Sequence, residues 1–257
     1  MLTKTKYQDD LRTYKSQVEK LSLITDELRI ETQFEALEDR SLIGSLAQFE
    51  RWFLDQQKSC QMTIEDIPVN DCRGWLVNND NGWITHESGE FFVVQGVRVG
   101  FSKNREVVGG WDQPMVTQVG YDGGLLGLLR KRISGVPHYL VEAKAEPGNP
   151  DKVQISPTLQ ATFSNLKQAH GGNKPRFSEY FETPEKMGGK TLFSQWMSED
   201  GGRLHLKRNK GMLVEISEMD ELTTPENFYW ASLYQLKALI KLNSWVNPHI
   251  RGIISSL

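Results

Sequence analysis

The sequence predicts an α+β protein, in which a mixed or antiparallel sheet is flanked by helices and preceded by a long N-terminal helix. Three observations lead to this prediction. Residues 4–40 lack Gly and Pro and repeat apolar side chains at helical spacing, and residues from 83 onward fall into strand-like segments. Finally, Gly201 and Gly202 lie inside a hairpin-like pair of such segments.

The N-terminal segment is predicted to form one helix over residues 4–40. Its apolar or near-apolar stripe alternates spacings of four and three residues. The members of this stripe are Tyr7, Leu11, Tyr14, Val18, Leu21, Thr25 and Leu28. Such spacing is typical of a short coiled coil, and equally of an amphipathic helix that lies on its own domain. We therefore divide the chain into a helical arm, residues 1–44, and a single module, residues 45–257.

The module is predicted to open with a helix over residues 45–57, followed by irregular chain over residues 68–75. Strands follow in the segments GEFFVVQGVRVGF, REVVGGWDQPMVTQVGYDGGLLGLLRKRI and LFSQWMSEDGGRLHLKRNKGMLVEI. A closing helix is predicted over residues 225–242, with Thr224 as its N-cap.

The composition points away from several classes of protein. The 257 residues carry a net charge of −3 with dispersed basic residues, so nothing favours nucleic acid or an acidic membrane surface as a partner. No apolar run is long enough to span a bilayer. Cys60 and Cys72 are the only cysteines, and they are not accompanied by a histidine cluster. We therefore expect a cytoplasmic protein with free thiols and without a metal site.

Residues 138–145 form the most informative predicted strand, because ionisable side chains occupy alternate positions. His138, Glu142 and Lys144 share one face with Leu140, and Glu146 joins that face if the strand continues. One interpretation is a solvated sheet face whose charges pair with neighbouring strands. The other is the floor of a cleft that carries an acid, a base and a cation.

The segment after this strand is predicted to contain an anion site. A short strand over residues 153–155 leads to Ser156, which can cap a helix, and to Pro157, which can occupy its first position. Backbone N–H groups at a helix N-terminus bind anions, most often a phosphate. Together with the charged strand, this arrangement predicts a phosphorylated ligand lying over ionisable groups.

Several motifs give the chain a resemblance to a known family. These are WITHESGEFFVVQGVRV, REVVGGWDQP, VNPHIRGIISSL and, above all, AKAEPGN followed by SPTLQAT. From about Gln48 onward the chain resembles the NDP-hexose 2,3-dehydratases of deoxysugar biosynthesis. The chain departs from the family pattern at Glu142, at residues 208–211 and at residues 247–249. The resemblance implies a Nudix-related fold for each of two tandem modules, of which this chain has the length of one.

The resemblance also implies a reaction, the loss of the C2 hydroxyl from a dTDP-4-keto-6-deoxyhexose without a redox cofactor. Such an elimination needs a base, an acid and an electrophile for the enolate. His138, Glu142 and Glu146 are the predicted proton carriers, and Lys144 is the predicted electrophile. The predicted substrate-binding residues are Arg98, Trp111, Gln113, Gln118, Gln154, Ser156, Thr158, Gln160, Thr162, Asn165 and Arg208, with Arg98 and Arg208 holding the diphosphate.

Three other functions compete with this hypothesis. A Nudix-type hydrolase is disfavoured, because the chain contains no adjacent Glu-Glu pair to hold Mg²⁺. A protein that binds a nucleotide sugar without catalysis, and an enzyme that performs elimination or cyclisation on another carbonyl compound, both remain open. We also expect a homodimer, since a lone module would expose an apolar surface, unless the arm folds back and covers it.

Overall fold

A computed structural model describes residues 3–21, 26–101, 103–104, 107–118, 123–168 and 171–257. The helices are α1 Lys4–Leu21, α2 Glu27–Glu35, α3 Leu46–Ser59, α4 Phe163–Leu166, α5 Glu179–Glu182, α6 Leu233–Leu239 and α7 Pro248–Ile254. The strands are β1 Trp75–Val77, β2 Ile84–His86, β3 Phe92–Val99, β4 Trp111–Gln118, β5 Gly124–Ile133, β6 Val136–Ala145, β7 Val153–Pro157, β8 Leu159–Thr162, β9 Lys190–Ser198, β10 Leu204–His205, β11 Arg208–Ile216 and β12 Phe228–Ala231. Val69–Asp71 and Pro184–Met187 form short 3₁₀ turns.

The described strands form two sheets, and both are mixed. The central sheet has seven strands in the order β12-β6-β5-β11-β9, with β7 beside β6 and β8 beside β5. The outer sheet has five strands in the order β1-β2-β3-β4-β10. Within the described chain β5 runs parallel to β11 and β10 runs parallel to β4, while the remaining pairs are antiparallel. The predicted α+β class with a mixed sheet and flanking helices is therefore confirmed.

The central sheet is buried on both faces. Because side chains alternate along a strand, Tyr139 and Val141 of β6 join one apolar cluster and Leu140 joins the other. Helices α3, α6 and α7 cover the first cluster, and α5 covers the second. The face of β6 that carries His138 is thus core in its first half, whereas the sequence placed core on the opposite face only.

The outer sheet is much less buried. Among its described strand residues, only Val93 and Met115 are buried. Leu76 and Val77 are exposed, and so is Phe101 just after β3. Two cross-strand pairs, Leu204 with Val116 and His205 with Thr117, hold β10 to β4.

The N-terminal arm contains two helices instead of the predicted single one. Helix α1 ends at Leu21, and α2 begins after Asp26, whose side chain accepts the Arg29 N–H at 3.1 Å. Residues 22–25 lie outside the described chain. A short polar residue that can accept this bond favours a new helix start over a continuous helix.

The arm folds back onto its own module through a buried ion cluster. Arg130 of β5 is 1% exposed, and its guanidinium contacts the carboxylates of Glu31 and Glu35 at 2.7 Å and that of Glu215. The Tyr139 hydroxyl donates to Glu35 at 2.8 Å. Burial raises the pKa of Glu35, and the positive charge of Arg130 opposes that shift. Of the two arrangements expected for the arm, this structure has the one that covers the arm's own module.

The helix predicted to start at Ser156 is wrong. Ser156 and Pro157 belong to β7 and pair with Glu142 and Val141 of β6. The hydroxyl of Ser156 accepts the amide of Asn247 at 2.8 Å. A residue suited to capping a helix therefore serves a contact that is distant in sequence.

The next helix, α4, begins only at Phe163, after the N-cap Thr162, and has four residues. The anion site predicted at Ser156 is consequently absent from this position. The closing helix is also shorter than predicted, because β12 comes first and α6 begins after Ser232 instead of Thr224. The helix predicted over residues 45–57 is confirmed as α3, which a capping box opens at Ser45.

Among the described helices, none combines the length and the apolar character that a bilayer crossing requires. Cys60 and Cys72 are free thiols, as predicted.

Candidate active site

A cavity of about 410 Å³ lies between the two sheets, and we call it the intersheet cavity. The outer sheet contributes Phe92 and Leu204 to its wall. Further wall residues come from β5, β8, α4, β11 and the start of α7, and from the chain just after β6, just after β9 and just before β11. Its polar lining residues are Glu146, Gln160, Thr162, Asn165, Glu199, Lys207, Asn209 and His249. Four of these residues can carry a charge, and they come from four different segments of the chain.

One part of the cavity wall is a carboxylate held by amides. The Gln160 amide donates to Glu146 Oε1 at 2.9 Å, and the Asn247 amide donates to Gln160 Oε1 at 3.0 Å. Asn247 thereby fixes which end of the Gln160 amide faces Glu146. The Gln160 amide, itself held by Asn247, therefore fixes the position of the Glu146 side chain on the cavity wall.

A second carboxylate, Glu199, lies in the same cavity and has two partners. The Asn209 amide donates to Glu199 Oε1, and His249 Nδ1 lies 3.4 Å from the same oxygen. Asn209 is buried in β11, whereas Glu199 follows β9 and His249 lies in the first turn of α7. The pair of an imidazole and a carboxylate is thus assembled from distant segments.

Lys207 supplies the positive charge of the cavity. Its ammonium lies 5.2 Å from the centre of the Phe92 ring and donates to the Gln118 side chain. Burial lowers the pKa of Lys207, and the charge of Glu199 opposes that shift. The cavity therefore places a partly desolvated cation beside two carboxylates.

A smaller side pocket of about 260 Å³ holds two of the predicted catalytic residues. Glu142 and Lys144 lie 3.6 Å apart there, and the Asn227 amide donates to Glu142 at 3.2 Å. Burial raises the pKa of Glu142, and the nearby ammonium of Lys144 opposes that shift. Gln160 lines both this pocket and the intersheet cavity, so the two spaces are adjacent at this side chain.

A third space of about 420 Å³, the β10–β11 pocket, adjoins the intersheet cavity at Lys207. Gln118 and Arg208 also line it. The guanidinium of Arg208 lies 4.5 Å from the centre of the Trp196 ring, which holds that side chain by a cation–π contact. This pocket offers two cationic side chains, and one of them, Lys207, also lines the intersheet cavity.

The structure brings together only part of the predicted site. Glu146, Gln160, Thr162 and Asn165 line the intersheet cavity. His138 does not, since it is fully buried, with Nδ1 2.9 Å from the Val136 carbonyl oxygen and Nε2 accepting the Leu42 N–H at 3.0 Å. Burial lowers the pKa of His138, as expected for an imidazole with a structural role.

Three other predicted residues of this stretch support the sheet. Ser156 binds Asn247, as described above. The Gln154 amide donates to the Ser244 carbonyl at 2.7 Å. The Thr158 hydroxyl bridges β5 and β6, because it accepts the Leu129 N–H and donates to the Leu140 carbonyl. Thr158 also lines the side pocket.

The predicted residues of the outer sheet are bound to one another. Arg98 forms a bidentate ion pair at 2.9 Å with Asp112, its exposed cross-strand neighbour. The Trp111 indole donates to Gln113 at 2.6 Å, and Gln113 donates to the Gly202 carbonyl at 2.8 Å. These side chains do not line the three spaces described above.

Sequence reasoning missed Glu199, Lys207, Asn209 and His249. Asn209 and His249 lie in the segments where the chain departs from the family pattern, residues 208–211 and 247–249, but no local pattern gives any of the four residues a role in the site. In the described part of the chain, no group of three or more His, Cys, Asp or Glu side chains is placed to hold a metal ion.

Comparisons with known proteins agree on one family. The family model for NDP-hexose 2,3-dehydratase matches residues 46–257. The dTDP-4-dehydro-6-deoxy-alpha-D-glucopyranose 2,3-dehydratase of Streptomyces violaceoruber is 35% identical over 216 residues, which are 84% of this chain and 47% of that protein. The enzyme of the same name from Amycolatopsis orientalis is 34% identical over 213 residues, 80% of this chain and 43% of that protein. The chain thus spans less than half the length of these relatives.

Solved structures give a weaker likeness. An Ap4A hydrolase of C. elegans superposes with a TM-score of 0.31 at 12% identity, over 51% of this chain and 91% of that one. The Nudix hydrolase RenU of M. smegmatis gives a TM-score of 0.32 at 12% identity, over 62% of this chain and 91% of that one. TM-scores this low carry no conclusion about the fold of this chain.

Proposed function

The chain belongs to the NDP-hexose 2,3-dehydratase family, and we propose that it eliminates the C2 hydroxyl of a dTDP-4-keto-6-deoxyhexose in deoxysugar biosynthesis. It is then a carbon–oxygen lyase. The observation that carries this proposal is the intersheet cavity, where the carboxylate of Glu146 and the ammonium of Lys207 line the same space. The family match over residues 46–257 and the relatives' names support the choice of substrate.

The chemistry assigns a task to each of these groups. The C4 ketone acidifies the C3 proton, and Glu146, which the Gln160 amide holds in place, removes that proton. Lys207 stabilises the negative charge that develops on the C4 oxygen. The C2–O bond then breaks, and the resulting enol tautomerises to a 3,4-diketo-2,6-dideoxy sugar.

We assign the electrophile to Lys207 because it lines the same cavity as Glu146, whereas Lys144 is paired with Glu142 in the side pocket. Comparing Lys207→Met with Lys144→Met tests this assignment. We expect Lys207→Met to lower kcat by about a hundredfold, the scale of losing one charge-stabilising donor. A larger loss in Lys144→Met would return the role to Lys144.

The base is tested with Glu146→Gln, which keeps the shape of the side chain and removes its basicity. We expect a loss in kcat of at least about a hundredfold. Product formation and nucleotide release are measured with dTDP-4-keto-6-deoxyglucose, and the control is Glu87→Gln, an exposed carboxylate near the outer sheet. Activity near that of wild type in Glu146→Gln would refute the role of Glu146. Tight binding of the substrate without turnover by the wild type would instead favour a binding protein.

The substrate's diphosphate is proposed to occupy the β10–β11 pocket, where Arg208 and Lys207 supply positive charge. Arg208→Met should raise KM for the nucleotide sugar by about tenfold, the scale of one lost charge-assisted hydrogen bond. Arg98→Met is the matched control, because Arg98 is already paired with Asp112 on the exposed outer sheet. Equal effects of the two substitutions would contradict this location.

The proposal extends to assembly, domain division and location. We propose a cytoplasmic homodimer of modules comprising residues 45–257, each with an arm of residues 1–44. Although the arm folds back onto the central sheet, Leu76 and Val77 of the outer sheet and Phe101 just after β3 stay exposed, and this apolar surface supports the dimer. Light scattering at micromolar concentration tests the dimer, and Val77→Lys should shift it toward monomer. Activity unaffected by EDTA tests the expectation that no metal cofactor is used.

A further inference from the structure

The proposed elimination needs a second proton carrier, because the oxygen that leaves C2 departs as water only if it gains a proton. Glu146 cannot supply that proton while it serves as the base. The remaining titratable side chains of the intersheet cavity are Glu199, Lys207 and His249. Lys207 is assigned to the C4 oxygen, so the choice lies between the other two.

The geometry of these two side chains separates them. Glu199 Oε1 already accepts the Asn209 amide and lies 3.4 Å from His249 Nδ1. His249 has one nitrogen turned toward this carboxylate, and in the described part of the chain no hydrogen bond engages its Nε2. Contacts of this kind are often long in an unliganded site and shorten when the substrate binds.

Resting on the proposed function, we infer that His249 is the general acid of the elimination and that Glu199 is its positioning residue. The Glu199 carboxylate beside Nδ1 orients the imidazole ring so that Nε2–H faces a bound molecule. Asn209 holds the carboxylate in place from the buried strand β11. The same arrangement of carboxylate and imidazole recurs wherever an imidazole must transfer a proton in a fixed direction.

The proton and electron balance is complete with these groups. Glu146 takes the C3 proton, and the electrons of the C–H bond form the enolate. When the C2–O bond breaks, those electrons form the C2–C3 double bond, and His249 Nε2 gives its proton to the departing oxygen, which leaves as water. Glu146 ends protonated and His249 ends neutral, and proton exchange with solvent resets both.

The test uses wild type, His249→Asn and Glu146→Gln with dTDP-4-keto-6-deoxyglucose in D₂O. Product formation and deuterium uptake at C3 of the recovered substrate are measured separately. We expect His249→Asn to lose at least about a hundredfold in kcat with little change in KM, yet to incorporate deuterium at C3, since the base is intact. Glu146→Gln should lose both signals.

Two further variants complete the design. Glu199→Gln keeps the contact to Asn209 but removes the charge, so it should lower kcat by about tenfold or more with KM and C3 exchange retained. His86→Asn changes an imidazole of the outer sheet that lies outside the cavity, and it should behave as wild type. Thermal unfolding checks that each variant is folded.

Turnover by His249→Asn within threefold of wild type overturns this inference and leaves the proposed function standing. So does the loss of C3 exchange together with product in a folded His249→Asn protein, because the residue then acts before the leaving step. A wild-type protein that shows neither exchange nor product overturns the proposed function and this inference with it.

Discussion

The central sheet and the outer sheet meet at one cavity, but they are built in different ways. Strands β5 and β6 of the central sheet are buried on both faces, whereas β3 and β4 of the outer sheet bury one residue each. The central sheet and the helix packed on it carry Gln160, Asn209 and His249. The outer sheet adds Phe92 and Leu204, which close the cavity from the other side.

This difference assigns a separate task to each sheet: one positions the reacting groups, and the other controls the access of the substrate. Groups that must hold a reacting atom within a fraction of an ångström lie on the central sheet or directly beside its strands, as Glu146, Glu199 and Lys207 do after β6, after β9 and before β11. The opposite wall has few buried apolar contacts, and such elements open at a lower free energy than the rest of a fold. We therefore expect the central sheet to fix the chemistry and the outer sheet to admit the nucleotide sugar.

The largest expected effect is on the free energy of unfolding, and the test compares one arginine from each sheet. Arg130→Met removes the partner of Glu31 and Glu35 from a buried cluster, which should cost about 3–5 kcal/mol in the free energy of unfolding. Arg98→Met breaks an exposed ion pair with Asp112 and should leave stability unchanged within error. Urea denaturation measures both. Equal costs would show that burial does not distinguish the two sheets.

The fold could be predicted where a pattern is local. The period-two alternation of residues 138–145 correctly predicts β6, and the helix predicted over residues 45–57 is found as α3. The prediction failed where a short sequence is compatible with two kinds of secondary structure. Ser156 before Pro157 reads as a helix start, but Asn247 binds the Ser156 hydroxyl and the segment becomes a strand beside β6.

The candidate site also has a part that could be predicted from the sequence and a part that could not. Glu146, Gln160, Thr162 and Asn165 were found because they lie within one short stretch of sequence. Glu199 and His249 come from two other segments, and only the pairing of β9 with β11 and the packing of α7 against β11 bring them to the cavity. His138 shares a predicted face with Glu142, yet it lies where the strand is core on both sides. The alternation of residues along the strand does not show how deeply each side chain is buried.

The second prediction uses a glycine in each sheet. A methyl group added at Gly127 of β5 would lie 2.4 Å from the buried ring of Phe181, so Gly127→Ala should destabilise the protein by about 1–3 kcal/mol. At Gly96 of β3 the same methyl group meets no atom within 4 Å, and Gly96→Ala should be neutral or slightly stabilising. Thermal unfolding of both variants is the measurement. A destabilised Gly96→Ala would mean that the outer sheet is packed more tightly than its exposure indicates.

The smallest expected effect is on the pH dependence of stability, where one carboxylate from each sheet should contribute with opposite sign. Burial raises the pKa of Glu142 in the folded protein above its ordinary value of 4.5. Folding therefore disfavours the ionised form, which costs free energy of folding. This cost is fully present above the pKa of the folded state. It is absent below about pH 4.5, where the residue is protonated in both the folded and the unfolded state. Glu142→Gln should raise stability at neutral pH, and this gain should vanish as the pH falls.

Asp112 of the outer sheet should respond in the opposite direction. The hydrogen bonds from Arg98 lower its pKa below the ordinary value of 3.8, so its contribution is present above that pH and is lost as the pH falls further. Asp112→Asn should then lower stability slightly at neutral pH, because its exposed pair is screened by solvent. The comparison uses the urea midpoints of both variants and of wild type, measured over about five pH units from about pH 2.5 to about pH 7.5, so that the range extends well below the ordinary pKa of Asp112. Destabilisation by Glu142→Gln at neutral pH would contradict this expectation. It would mean that Lys144 stabilises the Glu142 carboxylate by more than burial disfavours it, so that the side pocket is built to hold that charge.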